Sequence, residues 1–173
     1  MSEIIWGNIV TFIATVLMSC SGTRDSKRTI LLIQEMAMAC FVLSGILLQG
    51  YSGVVQNIVG MIRNITVLYW PGNTVIGWGL VLSGIVFGIL FNNRGIIGLF
   101  PVVCSVPFAV MVVLKNEDPV PLKSTMIISS LGYAVYAVVN NNLVGIITNT
   151  ITAMITGISL YRDIQKKKTC LHV

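Results

Sequence analysis

Six short polar interruptions cut an otherwise apolar chain into runs of membrane-spanning length, and that pattern leaves few solvents in which it can fold. The interruptions are SGTRDSKR (21–28), QGYSG (49–53), YWPGN (69–73), NNRG (92–95), KNEDPVPLK (115–123) and NNN (140–142). They bound seven runs at roughly 4–20, 29–48, 51–70, 74–92, 95–114, 124–139 and 142–162. A helix of about 20 residues crosses about 30 Å of hydrocarbon. Charged residues make up 10% of the 173-residue chain, against about 25% in a soluble domain. The runs lack the alternation of barrel strands, and backbone groups in lipid must be paired internally, so each run is expected to be a helix. The expected fold is an all-α membrane protein of seven transmembrane helices, with no separate soluble domain.

The 11 basic residues outnumber the 6 acidic ones, but they flank the spans and form no stripe of the kind that binds nucleic acid. No nucleic-acid partner is expected. Seven spans put the chain ends on opposite sides. Arg24, Lys27, Arg28, Lys115, Lys123, Arg162, Lys166, Lys167 and Lys168 then share one side, and only Arg94 lies on the other. The positive-inside rule makes the crowded side cytoplasmic and puts the N-terminus outside. The opening MSEIIWGN has no basic n-region and no cleavage motif follows, so the first span is expected to be retained. Cys20, Cys40, Cys104 and Cys170 have no C-x-x-C spacing and read as small core fillers. The sole histidine, His172, is in the tail. No metal, cofactor or enzymatic activity is expected.

One run is unusually polar: GVVQNIVGMIRN, Gly53 to Asn64, carries Gln56, Asn57, Arg63 and Asn64. A shift of 92 residues lays it on GIITNTITAMIT, Gly145 to Thr156. Gly53, Asn57, Gly60 and Asn64 then meet Gly145, Asn149, Thr152 and Thr156, at steps of four, three and four that follow one helix face. Two three-helix units run in the same direction only if an odd number of helices joins them, and the fourth span supplies that inversion. The resulting plan is SWEET-like: two parallel three-helix repeats in a 3+1+3 arrangement about an axis along the membrane normal. Its parts are 1–70 for the first repeat, 71–93 for linker helix four, 94–163 for the second repeat and 164–173 for a basic cytoplasmic tail.

The segments TRDSKR, GYSGVVQNIVGMIRN, GLFPVVCSVPFAVMVV and GISLYRDIQKKK, in that order, resemble the YgjV-type bacterial inner-membrane proteins over nearly the whole chain. That family is similar to the SWEET and PQ-loop superfamily, which also includes Pnu-type vitamin transporters and KDEL receptors. The resemblance implies a multi-pass inner-membrane protein that moves a small solute through a pocket between the repeats. It implies that an asparagine on the third helix of each repeat faces the pocket, a pattern met by Asn57 and Asn149. Aromatic partners on the second helices would be Tyr133 and Tyr136, with Phe41 and Ser44 at the same offset in the first repeat. A Pro-Gln dipeptide is absent, and helix five has Pro101 and Pro107 where helix one has no proline.

The substrate-contacting set is therefore Asn57, Asn149, Gln56, Thr148, Asn64, Thr152, Tyr133 and Tyr136. Two readings of the paired amides stay open: interhelical hydrogen bonds worth about 0.6 kcal/mol each, or the wall of a polar cavity. Arg63 costs about 2.5–3.5 kcal/mol near a helix centre and so needs a partner. Glu35, at a similar expected depth, is expected to pair with it directly or through water, as a register-setting ion pair or as a gate or proton-coupling site. Arg63 binding an anionic solute is the other option. Trp6, Trp70 and Trp78 fall near the expected interfaces as ring anchors. The partners expected are a small solute and membrane lipid; Gly84 and Gly88 form a G-x-x-x-G, and a homo-oligomer stays open. A receptor or assembly module, or a lipid-handling protein, are the competing functional readings.

Overall fold

A computed structural model describes residues 2–70, 73–114 and 118–171, with side chains to 169. Among these residues there are seven α-helices and no strand. They are α1 (Ser2–Gly22), α2 (Lys27–Leu47), α3 (Tyr51–Tyr69), α4 (Thr74–Leu90), α5 (Phe100–Val113), α6 (Pro119–Val139) and α7 (Leu143–Leu171), with a 3-10 turn at Gly95–Leu99 leading into α5. Side chains fix several starts. Ser26 caps α2 by accepting from the Thr29 N–H at 3.2 Å. Asn73 does the same for α4 through Ile76 at 3.2 Å.

Five helices are long and apolar enough to cross a membrane: α1, α2, α5 with its leading turn, α6 and α7. The other two depart for different reasons. α4 is only 17 residues long, and α3 has the length but its polar stripe dilutes its apolar character. Two boundaries differ from expectation. α6 starts at Pro119, not 124, because Asp118 caps the Val120 N–H at 3.0 Å and a proline is tolerated in a first turn. α7 runs on through the basic segment to Leu171. Lys115, His172 and the Cys170 side chain lie outside the described residues.

The corners after α2 and α6 are built alike, 92 residues apart. Each carries a left-handed residue, Gln49 at φ 55° and Asn141 at φ 51°. Each then closes with a backbone bond to a carbonyl five residues back, Gly50 to Gly45 at 2.8 Å and Asn142 to Ala137 at 3.0 Å. These are the bonds of a helix-terminating Schellman motif. An equal local geometry at both corners gives α2–α3 and α6–α7 the same turn.

The helices form a closed circuit in the order α1, α2, α3, α5, α6, α7 and back to α1, with α4 packed outside against α3 and α5. Contacts show direction as well as neighbourhood. Along α1 and α7, Asn8 accepts from the Val144 N–H, Ser19 meets Thr152 at 2.8 Å and Gly22 abuts Thr156, so the two run parallel. Along α3 and α5, Ser52 donates to the Gly98 carbonyl, Ser105 to Gln56, and Arg63 covers Phe108, again in parallel order. The described chain therefore starts at one end of the bundle and finishes at the other. Arg94 lies at the starting end, bonded to the Leu48 carbonyl, whereas Lys27, Lys123 and Lys167 lie at the finishing end.

Candidate functional site

The circuit encloses two cavities that share a wall. The larger holds about 650 Å³ of unfilled space, part of it open to solvent, and the smaller about 470 Å³. Phe41, Asn57, Tyr133 and Asn149 line both. These four are two pairs at the 92-residue offset, Phe41 with Tyr133 and Asn57 with Asn149. The relation extends beyond them. Apart from Thr11 and Gly53, every residue lining the smaller cavity has its offset mate on the same wall, as Ser44 has Tyr136 and Gly50 has Asn142.

Both asparagines solve the lipid problem in the same way. Asn57 donates its side-chain N–H to the Gly53 carbonyl at 2.8 Å, and Asn149 donates to the Gly145 carbonyl at 2.7 Å. Each amide is thus tied to its own helix, one turn back, rather than to a neighbouring helix. The interhelical-glue reading does not describe these two side chains.

The remaining expected residues divide between cavity and helix contact. Tyr133 and Tyr136 line the cavities, and the buried Tyr136 hydroxyl has no hydrogen-bond partner. Gln56 lines the larger cavity while donating to the Gly84 carbonyl of α4 at 2.5 Å and accepting from Ser105 of α5 at 2.8 Å. Asn64, Thr148 and Thr152 line neither cavity. Asn64 accepts from Arg63, Thr148 donates to the Val144 carbonyl, and Thr152 faces Ser19 of α1.

Of the two expected forms of Glu35–Arg63 pairing, the direct ion pair is not formed. Arg63 is buried, donates to the neighbouring Asn64 Oδ1 at 3.3 Å and covers the Phe108 ring at 5.5 Å. The Glu35 carboxyl group lies near Asn64 and acts on the guanidinium electrostatically, without an ion-pair contact. α2 turns Gln34 into the larger cavity, while Glu35 does not line it.

Several further groups belong to the site. Gln34 donates weakly to the Met126 sulfur at 3.5 Å, keeps its buried Oε1 unpartnered, and is the offset mate of Met126. Carrying the repeat register onto the second helices would have found it. At the far end, Asn142 caps α7 through the Gly145 N–H and donates to Thr11, which bonds Ser44. Lys123, read above as a loop cation, is fully buried in α6 and pairs with Asp163 of α7 at 2.6 Å, with Ser159 accepting a second bond at 3.0 Å. Among the described residues no group of His, Cys, Asp or Glu is arranged to hold a metal ion.

Residues 5–167 match the family model Imp-YgjV, described as bacterial inner membrane protein. No curated protein and no solved structure was found to match. A match over that much of the sequence means that the chain belongs to this family of bacterial inner membrane proteins.

Proposed function

From membership of an inner-membrane family and from the cavity geometry, we propose that this chain is a transporter or facilitator of a small polar metabolite. In this reading all seven helices cross the membrane, with α4 the linker between repeats 1–70 and 94–163 of a SWEET-like plan. The solute sits at the wall shared by the two cavities, and one repeat rocks against the other to open each cavity in turn. The N-terminus is outside and the C-terminus cytoplasmic, in keeping with the cations at the finishing end of the bundle.

The observation that carries this reading is the shared wall of Phe41, Tyr133, Asn57 and Asn149. Repeat-built transporters bind their solutes at the repeat interface near the bilayer midplane. A wall made of equivalent residues from both halves, with amides bonded only to their own helices, has that character. Unpartnered buried polar atoms nearby, Gln34 Oε1, Tyr136 OH and Asn140 Oδ1, need water or a solute.

A thermal-shift screen of metabolites on purified protein tests the proposal. The expected result is a stabilising solute whose effect disappears in an Asn57→Ala, Asn149→Ala double variant and which crosses proteoliposomes. Saturable binding without flux supports instead a receptor of the same architecture. Lipid handling has one feature in its favour, the wholly apolar groove of Ile85, Ile89, Leu99, Val102, Val103 and Val106 between α4 and α5. That groove shares no residue with the amide wall and offers a headgroup nothing polar.

A further inference from the structure

We propose that the solute taken by the larger cavity is a small organic monocarboxylate held by the Arg63 guanidinium. The inference deepens the transport reading and rests on it for the route by which the solute arrives. Arg63 lines this cavity from α3 and is 5% exposed. Its protein contacts do not saturate it: one nitrogen donates to Asn64, one face lies over Phe108, and Nε has no acceptor. Among the described residues neither ion pair involves it. Glu35, the one acid of α2, forms no ion pair with the guanidinium and acts on it only from a distance.

A buried cation in a membrane protein is costly unless a counter-charge and acceptors are brought to it. The guanidinium fork offers parallel N–H donors in the spacing of a carboxylate, and charge-assisted bonds of this kind are about twice as strong as neutral ones. The remaining lining selects within the anions. Among the described residues Arg63 is the sole cation on either cavity wall, so a monoanion matches it in charge and a phosphate dianion exceeds it. Met18, Met38, Met126 and Phe41 share the cavity with it. They suit a short hydrocarbon body, with Ser129, Ser130 and the amides of the same wall left for its polar substituents.

The test compares acids with their own amides, which match in shape and differ in charge. Acetate, butyrate, lactate and benzoate, and the four corresponding amides, are titrated calorimetrically into the purified full-length protein. At least one acid is expected to bind about tenfold or more tighter than its amide, the size of one charge-assisted contact. Arg63→Gln should reduce that preference below about twofold, and Arg63→Lys should leave an intermediate value because the charge stays while the fork is lost. Should Arg63→Gln not fold, the wild-type ratio and the Lys variant carry the test. The inference is overturned if no acid beats its amide by more than about twofold, or if the preference survives Arg63→Gln. A neutral solute that binds through Asn57 and Asn149 and crosses proteoliposomes would sink the carboxylate while keeping the transporter. An acid held through Arg63 that never crosses them upholds the carboxylate and removes the transport reading.

Discussion

Asn57 and Asn149 each turn their N–H onto a carbonyl one helical turn back, which frees their position from any neighbouring helix. The equivalence of the two positions was legible because a 92-residue shift superposes the two polar stripes; the bond each amide makes was not. The partner of Arg63 was not, because sequence separation from a turn gives depth along a helix but not direction around its axis. Asn64, next to Arg63, supplies the acceptor that Glu35 was expected to supply. Asn64→Ala should therefore destabilise by about 1–3 kcal/mol, the cost of stranding a buried donor. Glu35→Gln keeps the side chain's shape and an acceptor oxygen and breaks no ion pair, so it should cost clearly less. Thermal unfolding of both variants in one detergent checks the order; a larger loss for Glu35→Gln would mean that its charge, rather than Asn64, holds the guanidinium.

At the level of helices, small residues decide how closely elements approach. Gly22 of α1 abuts Thr156 of α7, and the buried Thr156 hydroxyl has no hydrogen-bond partner. A β-branched side chain is stiff at χ1, so a methyl added at Gly22 has little room to push it aside. Gly22→Ala should cost about 1–3 kcal/mol through overpacking. Thr156→Ala in the same chain should restore most of it, since no bond is lost; an unfolding midpoint that fails to recover would contradict this contact. A second element-level link joins the α6 start to the α7 extension. The Lys167 ammonium bonded to Asp118 holds that carboxyl below the usual carboxylate range. The contact is thus at full strength above the ordinary aspartate pKa of about 3.9 and is lost as pH falls through the lower folded value. Amide exchange over 163–169 should quicken on acidification in the wild type and show less dependence on pH in Asp118→Asn, which keeps a cap and drops the charge. Equal acid response in both proteins would contradict the link.

Helix number and near-correct boundaries could be read because each polar interruption coincides with a chain reversal, and the left-handed corners at Gln49 and Asn141 fall where QG and NN predict turns. KNEDPVPLK misled at its end: prolines that read as loop are compatible with a first helical turn, so Lys123 belongs to α6 and is buried against Asp163. The closure of six helices around paired cavities depends on which faces meet, and periodicity within single helices does not determine that.

For the whole molecule, transport requires the amides of both halves to face one water-reachable wall. The most direct measurement places a single cysteine at position 57 or 149 in a chain whose Cys20, Cys40, Cys104 and Cys170 have been replaced, and labels oriented vesicles with a small charged thiol reagent. Both positions are predicted to react from either side, each side in turn, and to be protected together by a bound solute. Absence of reaction at both positions from both sides, in protein that folds normally, would mean the amides are sealed in packing, and the shared-wall site would have to be abandoned.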